Sequence, residues 1–202
     1  MLRSLVGSEM CIRDSYKAGK LTNAHKELDT GLSAWNLAMG SQELYDWLDA
    51  EPQLFHPGDL DYIHSVERIS KLSNVISING GVQLDLMGQE NAESTGTRQL
   101  SGVGGQMDFL EGAYRSKGGK GFICINSSRV TKDGERKSNI LATIPGGSTI
   151  SAPRTMIQYV ATEYGIASLS GKTLRERAEA MAAIAHPDFR EELMKYAQEN
   201  FK

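Results

Sequence analysis

The chain has 202 residues, 40% of them hydrophobic, with 22 basic and 25 acidic side chains and a net charge of −3. That length allows one sizeable core and demands no second one. Dispersed, slightly negative charge offers no footprint for nucleic acid, no apolar run is as long as a membrane span, and no signal-peptide pattern occurs, so a cytoplasmic protein without nucleic-acid or membrane partners is expected.

Residues 1–15, MLRSLVGSEMCIRDS, have no period of 2 or 3.6 that continues past Ser15. They closely resemble translated sequencing adapter and are expected to be non-native, which leaves residues 16–202 as the domain. Lys17 to Asn23 reads as a helix end with Gly19 as its stop. Ser33 to Met39 reads as a strand ended by Gly40, and Ser41 opens a helix striped by Leu44, Trp47 and Leu48, in a capping-box pattern with Glu43 one position early. After the polar region around His56-Pro57-Gly58, Asn74 to Asn79 is a β-branched strand. Gly80-Gly81 interrupts it and Val82 to Met87 resumes with alternation, which predicts a bulged strand or a hairpin.

The segment Gln99 to Lys120 holds residues that a packed core does not need. Gly102, Gly104 and Gly105 lead into Met107, Phe109, Leu110, Ala113 and Tyr114 at helical spacing, with Asp108 in the first turn. A glycine loop opening a helix aims free N–H groups at one point, which suits a phosphate, a carboxylate or a developing oxyanion. A tight connection with no ligand accounts for the same glycines. A dinucleotide fingerprint fails because position 107 is Met, and a Walker loop fails because Lys120 is followed by Gly121.

Gly121 to Ile125 reads as a covered strand with Cys124 buried; Cys124 and Cys11 are far apart and lack a C-x-x-C partner, so neither a disulfide framework nor a zinc knuckle is suggested. Asp133-Gly134 marks the turn of an edge hairpin over residues 128–137, with Ile140 to Ile144 as its return strand. Met156 and Val160 begin a further apolar element. Two helices close the chain: one from Thr173 to about Ile184 with Leu174, Ala178, Met181 and Ala182 inward, and one from Pro187 to about Asn200 with Phe189, Leu193 and Tyr196 as its stripe. Strands and helices in mixed order favour an α/β or α+β domain.

His25, His56, His64 and His186 have no metal-ligand spacing, and His186 suits the start of the last helix. Glu163 and Asp108 read equally as functional carboxylates or as members of a capped turn. Ser127-Ser128 lacks the setting of a hydrolase elbow.

Five blocks together carry a resemblance: Gln83-Leu-Asp-Leu-Met-Gly-Gln89, the loop Arg98 to Phe109, Ser116-Lys-Gly-Gly-Lys120, Val160-Ala-Thr-Glu-Tyr-Gly-Ile-Ala167 and Ile184-Ala-His-Pro-Asp-Phe-Arg190. In this order and spacing the chain resembles the C-terminal domain of the acetyl-CoA hydrolase/transferase family, most nearly the 4-hydroxybutyrate and butyrate CoA-transferases. The resemblance implies an α/β fold, a mixed open sheet with flanking helices, facing an N-terminal domain that is missing here; a homodimer is one assembly it allows. It implies coenzyme A or acyl-CoA as substrate, a carboxylate as acceptor, and no metal. It also implies a glutamate nucleophile that forms a glutamyl-CoA thioester, with Val82, Gly102, Gly104, Gly105, Lys117 and Lys120 along the CoA groove, the lysines reading equally as solvated turn residues. The family glutamate is expected upstream of this chain. Ser8-Glu9-Met10 imitates its motif, but the preceding His and the following Asp-Gly are absent, so Glu9 is taken as a chance mimic and no catalytic residue is assigned. A hydrolase, or a non-catalytic CoA-binding domain, is the alternative.

Overall fold

The computed structural model describes residues 9–201, with side chains from Ile12 onward. The first helix, α1 (Glu9–Lys17), runs across the boundary drawn after Ser15 and stops at Gly19, whose φ of +65° closes the turn as expected. It carries Tyr16 into an aromatic group with Trp47 and Phe55.

Strand β1 (Ser33–Trp35) is shorter than the sequence pattern predicts. Its parallel partner β2 (Phe55–Pro57) pairs Pro57 with Trp35, and a proline has no N–H with which to extend the ladder. Between them lies α2 (Gln42–Ala50), with Leu44 buried as expected. No capping box forms there: Glu43 instead accepts a hydrogen bond from Arg13 at 2.6 Å. Two short helices come next, α3 (Leu60–Ile63) and α4 (Val66–Lys71), each capped by a side chain, Asp59 and Ser65.

Strand β3 (Ile76–Gly80) then enters the main sheet, and β4 (Gln83–Asp85) enters a different one, so the predicted hairpin or bulge is absent. The Gly80-Gly81 break re-aims the chain between two sheets. β5 (Glu90–Asn91) returns antiparallel on β4, and β6 (Ser94–Thr95) pairs with β7 (Arg98–Gln99) just before the glycine loop. Helix α5 (Gln106–Arg115) leads to β8 (Lys120–Cys124). The predicted hairpin is β9 (Ser128–Val130) with β10 (Arg136–Ser138), turned at Gly134. Its return strand is β10, because β11 (Ile140–Leu141) leaves to pair parallel with β4. The remaining elements are β12 (Tyr159–Thr162), β13 (Gly165–Ser168), α6 (Leu174–Ala183) and α7 (Pro187–Asn200). Thr173 and Glu176 close a capping box on α6, and the His186 side chain caps α7.

The main sheet has the order β13-β12-β8-β3, with β3, β8 and β12 parallel and β13 antiparallel at the edge. Its covered face presents Ser77, Ile123, Val160 and Ala167 to a core that also takes in Leu110 of α5, Met181 of α6 and Leu193 of α7. The opposite face holds Ile78, Phe122, Cys124, Tyr159 and Ile166, and Ile78 and Ile166 are 43% and 63% exposed. Cys124 is therefore exposed rather than buried: it sits one residue out of phase with Ile123, on the uncovered side. Leu174, expected inward, is also exposed at 39%, and Tyr114, at the end of the α5 stripe, is exposed at 57%.

Candidate functional site

In open sheets with parallel strands, ligands gather at the carboxyl ends. Here those ends are Gly80 of β3, Cys124 of β8 and Thr162 of β12. The Gly81 N–H donates to the Cys124 carbonyl at 3.3 Å, and the Val82 N–H to that of Asn91 at 2.9 Å, which pins the turn leaving β3. Beyond β12, Glu163 accepts from the Ser127 N–H at 2.9 Å and from its hydroxyl at 2.7 Å. Burial works against ionisation of Glu163, but these bonds and the nearby His186 outweigh it and hold the carboxyl below its ordinary range.

The glycine loop opens α5 beside the same strand ends. Gly104 has φ of +62°, a conformation that L side chains disfavour, whereas Gly105 is the N-cap at φ −95° and is a glycine for a different reason. A Cβ on Gly105 would meet the His64 ring at 2.2 Å. The ring sits edge-on to Phe109, 5.2 Å between centroids, with Nδ1 3.6 Å from Asp108 and Nε2 3.4 Å from the Asn36 amide. His64 thus belongs to the loop's support; its lack of metal spacing said nothing of this role. Gly102, Val103 and Gly104 are exposed.

The residue that sequence reasoning missed is Glu90. It is fully buried, and burial pushes its carboxyl up to about 8 despite a hydrogen bond donated by the Gln106 amide. Its other oxygen, Oε1, has no hydrogen-bond partner and packs where a Cβ on Gly81 would stand, 2.6 Å away. The signal was available as a charged residue inside an otherwise buried β4-β5 pair, yet strand polarity alone does not separate a buried acid from an exposed one.

The expected site residues fall into two groups. Val82, Gly102, Gly104 and Gly105 lie on two segments that meet at Glu90, which packs beneath Gly81 on one side and accepts from Gln106 on the other. Lys117 and Lys120 are exposed at the other end of α5, where the Lys117 carbonyl accepts from Asn74 and Lys120 N–H donates to Val75. Ten helical residues separate the groups by about 15 Å. The Glu9 side chain lies outside the described residues. Among the described residues no cluster of three or more His, Cys, Asp or Glu forms a metal-ligand set, and no helix is long and apolar enough to cross a membrane.

The acetyl-CoA hydrolase/transferase C-terminal domain matches residues 40–197. The chain belongs to this family. It is 44% identical over 185 residues to butyryl-CoA:acetate CoA-transferase of Anaerostipes caccae, covering 92% of this chain and 41% of that protein. It is 43% identical over 190 residues to 4-hydroxybutyrate coenzyme A transferase of Clostridium kluyveri, covering 94% and 43%. Among solved structures, RipA from Yersinia pestis superposes with a TM-score of 0.84 at 38% identity, covering 93% of this chain and 41% of that one. The chain spans about two fifths of the length of these relatives. As an acetyl-CoA hydrolase/transferase C-terminal domain, it keeps the α/β architecture and mixed sheet that the sequence blocks implied.

Proposed function

We propose that this domain is part of a CoA-transferase that moves CoA between acetyl-CoA and a short-chain carboxylate such as butyrate or 4-hydroxybutyrate. The observation that carries the reading is the exposed Gly102–Gly104 loop opening α5 beside the turn that bears Val82, in a chain whose transferase relatives are named for these acids. In this reading the glycine loop and Val82 border the thioester end of CoA, and the spacing of Lys117 and Lys120 from them suits contact with the remote phosphates of an extended ligand. The nucleophile is a glutamate outside residues 16–202. Its carboxylate attacks the acyl thioester and expels CoA as thiolate; the thiolate then takes the glutamyl carbonyl, releasing acetate and leaving glutamyl-CoA, which the acceptor carboxylate reopens in the reverse sequence. Residues 1–15 are not native in this reading, and the working protein places a further domain against this one, in a homodimer or alone.

Acetyl-CoA hydrolase is the second reading, because that enzyme of Eremothecium gossypii is 32% identical over 135 residues. It matches 66% of the chain against 92% for the transferase. Assaying the full-length gene product for acyl exchange from acetyl-CoA to butyrate or 4-hydroxybutyrate tests the proposal; release of free acetate with no acyl-CoA formed would replace it with the hydrolase.

A further inference from the structure

Glu90 touches both segments on which the proposed CoA site depends. Its backbone is fixed on two sides: Leu84 of β4 pairs with it on one, and on the other its N–H donates to the Ala152 carbonyl at 3.0 Å while its carbonyl accepts from Ser151 at 2.8 Å. These contacts hold β5 between β4 and the Ser151–Ala152 segment. The side chain projects under the β3–β4 turn, where Oε1 rests against Gly81 beside Ile123 and Ile125, and its Oε2 accepts from Gln106, the first residue of α5 and the neighbour of Gly105.

We infer that Glu90 is a positioning residue: its buried carboxyl holds Gln106 at the start of α5 through one hydrogen bond and fills the space beneath Gly81 on the Val82 turn, and a carboxylate there loosens both segments by drawing water into that space. The inference rests on the CoA reading only for its consequence, not for the tether. The charged groups on the surrounding elements are committed elsewhere or do not reach it. Asp85 of β4 accepts from the Gln89 N–H and amide, and Asp108 of α5 faces His64. Arg154 lies beyond the Ala152 bridge and Glu93 beyond β5; burial pushes the Glu90 carboxyl up and the Gln106 hydrogen bond works against it. An ionised Glu90 would hold a buried charge with one donor and no countercharge, a state relieved by water entering between the turn and the helix.

Hydrogen exchange of the 202-residue chain, read by mass spectrometry on peptides spanning 79–84 and 100–108, tests this. Wild type and Glu90→Gln are compared at the same pH, about 4.5 and about 9.5, which cancels the intrinsic pH dependence of exchange. Equal protection is expected at the lower pH, and severalfold faster exchange of the wild type at the higher one, with a larger difference in these two peptides than in α7. Glu90→Leu, which lacks the tether at any pH, is expected to exchange fast in both peptides at both values. Equal protection of wild type and Glu90→Gln at both pH values would overturn the inference even if Glu90→Leu fails to fold. Calorimetric titration of CoA into the full-length gene product and its Glu90→Gln variant separates the two proposals. Absent CoA binding with the exchange difference intact retires the CoA reading and leaves the tether, whereas CoA binding with no exchange difference retires the tether alone.

Discussion

The imidazole of His64 occupies the space that a side chain on Gly105 would need, with Cε1 2.2 Å and Nδ1 2.3 Å from the position of a Cβ. Gly105→Ala is therefore expected to destabilise the chain by about 1–3 kcal/mol through overpacking. His64→Ala in the same chain should recover much of that loss, with a coupling of at least about 1 kcal/mol in a double-mutant cycle by urea unfolding. The double variant also isolates the ligand question. If CoA affinity stays low once the collision is relieved, Gly105 serves close approach to the ligand; if affinity returns with stability, its requirement is packing against His64.

Glu90 makes stability depend on pH in a stated direction. Its folded-state proton is held up to about 8, whereas an unfolded glutamic acid loses it near ~4.3. Between these values the native chain binds the extra proton, so this group's contribution is full below the lower value, declines as pH rises, and is gone above about 8. Glu90→Gln has no such proton to lose. Its advantage over wild type should grow from near zero at about pH 4.5 to about 3–5 kcal/mol at pH 8, measured by urea unfolding. Parallel stability profiles of the two proteins would contradict the assignment.

Arg177 is a second buried charge with a different solution. Its guanidinium donates to the carbonyls of Met87, Leu169 and Arg154, each at 2.8 Å, tying the turn after β4 to the edge of the main sheet and to α6. Arg177→Met should cost about 3 kcal/mol or more because three hydrogen bonds to backbone are lost together. Arg177→Lys, with a compact ammonium in place of a planar fork, should recover only part of it. A drop in the urea midpoint of less than about 0.5 kcal/mol equivalent for Arg177→Met would show that water replaces the clamp.

Local signals carried much of this fold: the Gly19 stop, the α5 stripe, the Gly134 turn and the His186-Pro187 helix start all stand where residue chemistry put them. The family blocks carried the rest of the architecture. What failed was pairing at a distance. Nothing near Gly80-Gly81 reveals that β3 and β4 join different sheets, and nothing near Ile140 reveals that its partner is Leu84. The site was legible as a glycine loop, but its supports were not. His64 and Glu90 lie 41 and 15 residues before Gly105, and only the folded packing brings them to it.

The uncovered face of the main sheet has a measurable consequence. Register places Ile78, Phe122 and Tyr159 in one row and Cys124, Ala161 and Ile166 in the next, with the Phe122 and Tyr159 rings stacked at 4.9 Å. Sheets of parallel strands are ordinarily covered on both faces, and a contiguous apolar row left open favours association. The 202-residue chain is expected to self-associate as concentration rises in sedimentation velocity runs. Ile166→Lys should suppress that association while changing stability by less than about 0.5 kcal/mol, because the side chain is 63% exposed in the monomer. Cys124 reports on the same surface. Partial burial raises its thiol above the ordinary value, so an aromatic disulfide reagent should label the dilute native chain slowly at neutral pH and faster as pH rises. Labelling should also slow in the associated form of the wild type and remain unchanged with concentration in Ile166→Lys. A Cys124 that reacts only after unfolding would mean that this face is covered within the monomer.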